Sequence, residues 1–354
     1  MASTALEVVS RPSVTAVDLF CGAGGLSFGL KESGIRIAAG IDLDPACRYA
    51  FERNIAASFL EWDVAALQPQ AVEALFSTAE VRLLAGCAPC QPFSGYTTRR
   101  RGNDRRWRLL LDFLRIVRSV GPEIVTLENV PRLAHLSLWD QFVVGLRESG
   151  YHVAWDIINA SRYGVPQTRR RLVLLASKLG EIQIPPPVTA VPPTVRSAIG
   201  TLPHVSAGER AECDPLHSAR ALTLINMRRI QASRPAGTWR EWPPGMRVRC
   251  HKTKGGKTYP SVYGRMSWDR PSPTITTQFY GFGNGRFGHP EQHRAITLRE
   301  GAMLQSFPLG FQFVPPGTKI NFREIGRLIG NAVPPELARV LGHAITDHVT
   351  YRSK

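Results

Sequence analysis

The sequence predicts an α/β protein in which a doubly wound sheet is joined to a second, smaller and irregular domain. Short apolar segments alternate with helical ones through the first half of the chain, as in folds that stack helices on a sheet. A glycine cluster follows the first apolar segment, which is where doubly wound sheets bind ligands. The alternation stops near residue 184, and the chain from there to about residue 321 is rich in Pro, Gly, Arg and Trp.

Each element follows from a local signal. Residues 14–19 are β-rich and end at glycines, so they form the first strand, and residues 24–33 form the helix after it. Asp44 can cap a helix that ends near residue 53. The other predicted strands are 36–42, 81–86, 123–127, 152–158 and 171–176, and the other helices lie near 106–119, 133–148 and 335–351. We expect residues 1–178 and 322–354 to form the sheet domain, with 1–13 as a mobile arm, and residues 179–321 to form the second domain.

The charge of the chain indicates a polyanionic partner. Its 354 residues carry a formal net charge of +16, with a sequence pI near 10.2. Nucleic acid is the commonest partner of so basic a protein, although solubility alone could explain the charge. No apolar segment reaches the ~18 residues of a membrane helix, and the N-terminus has no signal peptide.

The six cysteines favour neither a redox motif nor a metal site. Without a secretory signal they are expected to be reduced thiols. Cys87 and Cys90 have the spacing C-x-x-C, but Pro92 and an arginine-rich segment follow where a thioredoxin-like motif would begin a helix. A zinc site needs a second close pair of ligands, and Cys250-His251 is the one candidate. We therefore expect no metal.

A thiol and a carboxylic acid follow two of the apolar segments. Cys90 comes shortly after residues 81–86, and Glu128 comes directly after residues 124–127. Because the carboxyl ends of parallel strands meet at one edge of a sheet, we expect the two side chains to lie side by side. A thiol nucleophile beside an acid is suited to covalent catalysis. Taken singly, an inert core thiol and a solvated acid are the more ordinary interpretations.

The glycine cluster, Asp18-Leu19-Phe20-Cys21-Gly22-Ala23-Gly24-Gly25, has the position of a cofactor-binding loop. Asp42 lies at the end of the second strand, where an acid can bind ribose hydroxyls. The spacing fails the dinucleotide pattern G-x-G-x-x-G, and Phe20 suits stacking on adenine. This favours S-adenosylmethionine over a dinucleotide. A tight strand-to-helix turn without a ligand is the alternative.

Six segments, in order, resemble the motifs of bacterial-type DNA (cytosine-5) methyltransferases. They are the glycine loop, Pro89-Cys90-Gln91-Pro92-Phe93-Ser94, Glu128-Asn129-Val130, Gln167-Thr168-Arg169-Arg170-Arg171, Arg270-Pro271-Ser272-Pro273-Thr274-Ile275-Thr276-Thr277 and Gly330-Asn331-Ala332-Val333-Pro334-Pro335. The resemblance covers nearly the whole chain outside about residues 180–260. It implies a Rossmann-like, S-adenosylmethionine-dependent methyltransferase fold with a mixed sheet, a catalytic domain over 1–178 and 322–354, and a target-recognition domain over 179–321.

The resemblance also implies a role for each site residue. Cys90 is similar to the nucleophile that attacks cytosine C6, and Glu128 to the acid that engages N3 and the amino group. Arg171, helped by Arg169, resembles the group that holds O2. The cofactor residues that it implies are Phe20, Gly22, Gly24, Gly25, Asp42, Asp63 and Asn331. An acid at N3 and a fixed positive charge at O2 would both stabilise the charge that thiolate addition puts on the ring.

Duplex DNA is the expected substrate, and its target base must be flipped out of the helix to be reached. The segment 97–108 is rich in arginine, and we expect it to be a mobile loop that clamps phosphates, with a merely solvated loop as the alternative. The expected DNA-contacting residues are Arg99, Arg100, Arg101, Arg105 and Arg106 in this loop, and Arg247, Arg249 and Lys252 in the second domain.

The expected function is transfer of a methyl group from S-adenosyl-L-methionine to C5 of cytosine in duplex DNA at a specific sequence. We expect a cytoplasmic, nucleoid-associated monomer with a cognate restriction endonuclease as a second partner. A tRNA cytosine-5 methyltransferase is the first alternative, but the Cys-Phe-Thr signature of that group is absent. A catalytically inactive DNA-binding homologue is the second, and the intact Cys90, Glu128 and Arg171 argue against it. A nicotinamide dehydrogenase is disfavoured by the glycine spacing.

Overall fold

The structure is a computed structural model that describes residues 12–89, 108–253 and 255–352. Three predictions concern residues outside this range. They are the nucleophile Cys90, nearly all of the arm 1–13, and the loop arginines Arg99, Arg100, Arg101, Arg105 and Arg106.

Over the described residues, seven strands form one mixed sheet. They are β1 Val14–Leu19, β2 Arg36–Asp42, β3 Ser58–Glu61, β4 Val81–Gly86, β5 Ile124–Asn129, β6 His152–Asn159 and β7 Arg170–Ser177. Their order across the sheet is β3-β2-β1-β4-β5-β7-β6. The first five strands run parallel to one another, whereas β7 runs antiparallel to both β5 and β6. The predicted doubly wound mixed sheet is therefore confirmed.

The central strands are buried along their whole length because both faces of the sheet are covered. Every residue of β1 and of β5 is buried, including the polar side chains of Asp18, Thr126 and Glu128. A buried polar group destabilises the fold unless it finds partners. The partners of these carboxyl groups therefore matter both for folding and for the site.

Helices connect the strands of the first half: α1 Gly25–Glu32, α2 Arg48–Ile55, α3 Pro69–Ala74, α4 Leu109–Val120 and α5 Ser137–Glu148. Asp44 caps a 3-10 turn, Pro45–Cys47, that leads into α2, and its carboxylate accepts the Ala46 N–H at 3.2 Å. Strand β3 and helix α3 were not predicted from the sequence, because with four and six residues they are too short to show a clear apolar period.

Residues 179–321 add no strand to the main sheet. The described helices of this region are α6 Val195–Ile199, α7 Leu224–Gln231 and α8 Leu298–Leu304, and turns and 3-10 segments separate them. Two short strands, Gln167–Thr168 and Ser272–Pro273, pair in parallel and connect the region to the chain that leads into β7. Its apolar core is continuous with the core around α2, since Phe279 and Phe311 belong to the same buried cluster as Phe51.

The C-terminal chain returns to the first half of the molecule through α9 Phe322–Asn331 and α10 Pro335–Arg352. Gly25 and Gly29 lie one turn apart on α1. A Cβ at Gly25 would overlap the carbonyl oxygen of Val333, and a Cβ at Gly29 would overlap that of Pro335. Only glycine therefore lets α1 approach the returning chain so closely. The predicted return of the C-terminal helix is confirmed by its packing on α1. None of the described helices combines the length and apolarity needed to cross a membrane.

Candidate active site

A cavity of about 490 Å³ opens at the carboxyl ends of the central strands. Its walls come from residues at the ends of β1, β2, β4 and β5, from the start of β7, and from the end of α9. The predicted site residues in its lining are Phe20, Gly22, Asp42, Glu128, Arg169, Arg171 and Asn331. Pro89, the residue before Cys90 in the sequence, also lines the cavity. The structure thus brings predicted cofactor residues and predicted catalytic residues to one space.

The loop after β1 has an unusual backbone. Phe20, Gly22 and Gly24 have positive φ angles of 61°, 53° and 89°. The Gly22 N–H donates to Asp42 Oδ2 at 2.9 Å, and the Asp44 N–H donates to Asp42 Oδ1 at 3.0 Å. Each carboxylate oxygen keeps a further lone pair, so Asp42 can still accept from ligand hydroxyls. Burial raises the pKa of Asp42.

The three predicted glycines of this loop have different neighbours. No described atom lies within 4 Å of the position that a Cβ would take at Gly22, so this part of the loop is open. At Gly24 a Cβ would lie 3.1 Å from the Phe51 ring, and at Gly25 it would overlap the Val333 carbonyl. Gly24 and Gly25 therefore make room for the protein's own chain, and only Gly22 belongs to the cavity lining.

Asp18 is a fully buried carboxyl group behind the loop. The Ser27 hydroxyl donates to its Oδ2 at 2.6 Å, whereas its Oδ1 has no hydrogen-bond partner in the described part of the chain. Burial raises the pKa of Asp18 to about 7. Asp18 is not among the residues that line the cavity.

Glu128 is held between an arginine and a thiol. Arg171 Nε lies 2.8 Å from Glu128 Oε1. The two groups form an ion pair at this distance, but the angle is not that of a hydrogen bond. The Cys87 thiol donates to Glu128 Oε2 at 3.1 Å. Strands β4 and β5 are parallel neighbours with Gly86 opposite Leu127, so Cys87 and Glu128 are the next residues along the two strands. The Glu128 side chain is only 4% exposed, and each of its carboxylate oxygens lies next to a donor group.

Arg169 has a different environment from Arg171. Its guanidinium donates to the carbonyl oxygens of Ile275, Gly330 and Ala332 at 3.0, 3.2 and 3.3 Å. Burial lowers its pKa to about 9. These bonds tie the start of β7 to the end of α9, so Arg169 supports the cavity wall. Its contact with the base stays a prediction.

Four predicted residues lie elsewhere. Asp63 is exposed, is not in the cavity lining, and accepts the Ala65 N–H at 2.9 Å. Arg247, Arg249 and Lys252 lie in the irregular region; Arg249 and Lys252 are exposed, and the Arg247 guanidinium stands 5.9 Å from the centroid of the Trp239 ring. The role of these residues in ligand binding stays a prediction.

The lining residues that are missing from the sequence-based site include Cys87, Asp44 and Arg327. Arg327, on α9, forms an ion pair with Asp44, which follows β2, and the pair joins two walls of the cavity. These residues are 283 positions apart, so no local pattern could reveal their contact. Cys87 did have a local signal in its C-x-x-C spacing with Cys90, but that spacing was interpreted as a weak redox motif and not as part of the site.

Comparison with known proteins agrees with this geometry. The family model of C-5 cytosine-specific DNA methylases matches residues 14–347. The Type II methylase M.HgiDII of Herpetosiphon aurantiacus is 47% identical, over 93% of this chain and 94% of its own length. The Type II methyltransferase M1.BsuMI of Bacillus subtilis (strain 168) is 34% identical, over 94% of this chain and 80% of its own.

Solved structures share the fold. A prophage-encoded DNA modification methyltransferase from E. coli superposes with a TM-score of 0.73 at 21% identity, covering 95% of this chain and 99% of its own. DNMT2 of Spodoptera frugiperda superposes with a TM-score of 0.66 at 18% identity, covering 94% of this chain and all of its own. The family match spans the whole sheet and both sides of the cavity. The chain therefore belongs to the family of C-5 cytosine-specific DNA methylases and is a DNA (cytosine-5) methyltransferase.

Proposed function

We propose that this enzyme transfers a methyl group from S-adenosylmethionine to C5 of a cytosine flipped out of duplex DNA, through a covalent bond between Cys90 and C6. The observation that carries the proposal is the single cavity that joins Phe20 and Asp42 to the Glu128–Arg171 pair. Pro89, next to Cys90 in the sequence, lines the same cavity. A methyl donor and an acceptor ring must lie in contact for transfer, and a shared cavity supports that arrangement.

One group of lining residues suits the cofactor. S-adenosylmethionine, when bound, supplies an electrophilic methyl group on a positively charged sulfur. Asp42 offers acceptors to the ribose hydroxyls, Phe20 offers an aromatic face to the adenine, and Gly22 leaves the loop open. Asn331 closes the same cavity from the end of α9.

The other group of lining residues suits the cytosine ring. Addition of the Cys90 thiolate to C6 moves negative charge onto C5, N3 and O2. C5 then attacks the methyl group, whose bond to sulfur breaks to leave S-adenosylhomocysteine. Glu128 at N3 and Arg171 at O2 would stabilise the charge on the ring. Transfer of the C5 proton to a water-derived base then breaks the bond between sulfur and C6, which restores the thiolate and the aromatic ring. The buried Glu128–Arg171 pair supports this assignment because both groups already face the cavity.

The substrate that we propose is duplex DNA at a specific sequence, methylated as part of a Type II restriction–modification system. The formal net charge of +16 supports a nucleic-acid substrate. Relatives from three bacteria are named Type II methylases or methyltransferases, which supports a cognate restriction endonuclease as the second partner.

A mechanism-based trap tests the proposal. A random-sequence duplex library with 5-fluorocytosine in place of cytosine should form a gel-stable adduct with the wild-type enzyme and S-adenosylmethionine, because fluorine cannot leave as a proton does. Cys90→Ala should form no adduct and should still bind DNA within about threefold of the wild type. Cys213→Ala removes an exposed thiol and should trap as the wild type does. Absence of a wild-type adduct, or methylation by Cys90→Ala, would contradict the covalent route.

The proposed phosphate clamp predicts a change in salt dependence. Replacing Arg99, Arg100 and Arg101 by glutamine should weaken binding to all duplexes alike. The slope of log affinity against log salt concentration should fall in magnitude by up to about 3, since each lost phosphate contact removes about 0.9. Binding isotherms at several salt concentrations measure this, with Arg118→Gln, a helix surface change paired to Glu148, as the control. A loss confined to one target sequence would count against a clamp.

A further inference from the structure

Cys87 is a cysteine of the candidate site that the proposed reaction does not use. It follows β4 directly, lines the cavity, and places its Sγ 3.1 Å from Glu128 Oε2. The charged groups around the thiol include Glu128 on β5, Arg169 and Arg171 at the start of β7, and Asp18 on β1. Glu128 is in direct contact with the thiol, and its charge disfavours a thiolate at this position.

The Cys87 thiol keeps its proton. Burial raises the pKa of Cys87 well above its ordinary value, and the nearby charge of Glu128 raises it further. A protonated thiol is a donor and not a nucleophile, so the sulfur–oxygen contact is a hydrogen bond from Cys87 to the carboxylate. Hydrogen bonds to an ionised acceptor are stronger than those to a neutral one. Cys87 therefore holds Oε2 while Arg171 faces Oε1.

We infer that Cys87 is a positioning residue, whose thiol fixes the carboxylate plane of Glu128 toward the cytosine ring. The inference rests on the proposed role of Glu128. That role requires a defined plane, because the carboxyl group must meet both N3 and the amino group of one flat ring. If the thiol is removed, Arg171 is the remaining described side chain in contact with the carboxylate, and the group gains freedom to rotate.

A second bond anchors the same loop independently of the thiol. Asn129 Nδ2 donates to the Ala88 carbonyl oxygen at 3.0 Å, so the chain after β4 stays tied to the end of β5 when Cys87 is replaced. A replacement of Cys87 should therefore preserve the fold and the cavity. Its effect on catalysis should come through the orientation of Glu128.

The test compares variants that remove or keep the donor. Cys87→Ala should lower kcat about tenfold, as expected for one lost hydrogen bond to a charged group, with KM for DNA and for S-adenosylmethionine within about twofold. Cys87→Ser keeps a donor and should retain kcat within about threefold of the wild type. Cys213→Ala is the matched cysteine control on an exposed site.

Thermal unfolding shows whether each variant is folded. If Cys87→Ala does not fold, Cys87→Val serves as a second variant without a donor. Either donor-free variant with the kcat of the wild type would overturn the inference, as would a Cys87→Ser variant as impaired as Cys87→Ala. The wild-type adduct with 5-fluorocytosine DNA is measured first. No adduct would mean that the proposed function fails, whereas an adduct together with unchanged donor-free variants would reject the role of Cys87 alone.

Discussion

At the scale of single residues, two carboxylate–arginine pairs at opposite ends of β5 have different environments. Glu123, just before the strand, lies 2.7 Å from Arg82, and both side chains are 26% exposed. Glu128, near the strand's end, is only 4% exposed beside Arg171. An exposed pair stabilises a fold little, and a buried pair can cost more in desolvation than it contributes. A buried pair that faces a cavity therefore indicates a functional site more than a contribution to stability.

Glu128→Gln should separate catalysis from binding. The amide cannot serve as an acid at N3, so kcat should fall about 100-fold or more while DNA affinity stays within about threefold. Single-turnover transfer of a radiolabelled methyl group measures the first quantity, and fluorescence anisotropy measures the second.

Glu123→Gln is the matched control, because it makes the same chemical change at an arginine pair outside the cavity lining. It should keep the wild-type kcat. Its stability should fall by about 1–3 kcal/mol, because Glu123 accepts hydrogen bonds from the Arg82 backbone N–H and guanidinium. Equal loss of kcat in the two variants would show that the Glu128 effect is a general consequence of breaking a pair on this strand.

At the scale of elements, the chain that returns through α9 completes the cavity. The Ala332 carbonyl accepts from Arg169 at 3.3 Å and from Gln305 at 2.9 Å, and the Gln305 amide also donates to the Ile329 carbonyl at 3.1 Å. These buried donors bind carbonyl groups at the end of the helix, where intrahelical partners run out. The position of Asn331 therefore depends on β7 and α8 as much as on its own helix.

Gly29→Ala tests the close contact between α1 and this returning chain. A Cβ at Gly29 would overlap the Pro335 carbonyl oxygen and lie 2.5 Å from Ala338 Cβ. Overpacking should cost about 1–3 kcal/mol and outweigh the higher helix propensity of alanine. Urea unfolding measures the stability, and titration calorimetry should show weaker binding of S-adenosylmethionine.

Gly310→Ala is the control, because no described atom lies within 4 Å of the position that its new methyl group would take, and its φ is not in the left-handed region. Its stability should stay within about 0.5 kcal/mol of the wild type. A Gly29→Ala variant that is as stable as Gly310→Ala would mean that the returning chain moves aside easily.

At the scale of the whole molecule, buried carboxyl groups make stability depend on pH in two directions. Burial raises the pKa of Asp18 from 3.8 to about 7, so the folded chain holds more protons between these values. Its contribution to stability is full below about pH 3.8 and is lost as the pH rises through about 7. Burial also opposes ionisation of Glu300, but two 2.7 Å bonds from Arg294 outweigh it and lower its pKa to about 2. That contribution is present above pH 4.5 and is lost as the pH falls through about 2.

Asp18→Asn should reveal the first of these effects. The amide keeps the size of the side chain and cannot ionise. The unfolding free energy of the variant relative to the wild type should therefore be about 2–3 kcal/mol higher at pH 8 than at pH 5. Urea unfolding at both pH values measures the difference. Asp347→Asn, an exposed change on α10, controls for the loss of one charge. A difference between Asp18→Asn and the wild type that does not vary with pH would contradict the buried, proton-holding state.

Local sequence was enough to predict the doubly wound sheet, the bounds of β1, β2 and β4, and four of the residues that line the cavity: Phe20, Gly22, Asp42 and Glu128. It was enough because buried strands, glycine turns and strand-end polar residues leave local signals. The family resemblance added Arg169, Arg171 and Asn331. It also added the chemical roles, which no local pattern states. Short elements such as β3 and α3 left too weak a signal to be predicted.

The contacts between distant side chains came from the folded chain alone. Folding set the thiol of Cys87 against Glu128, paired Arg327 with Asp44, and left Asp63 outside the cavity lining. It also turned Gly25 toward the returning chain. Each of these outcomes depends on strand order, register and the path of the C-terminal chain. Those properties arise from burial summed over the whole molecule, so a local window of sequence does not contain them.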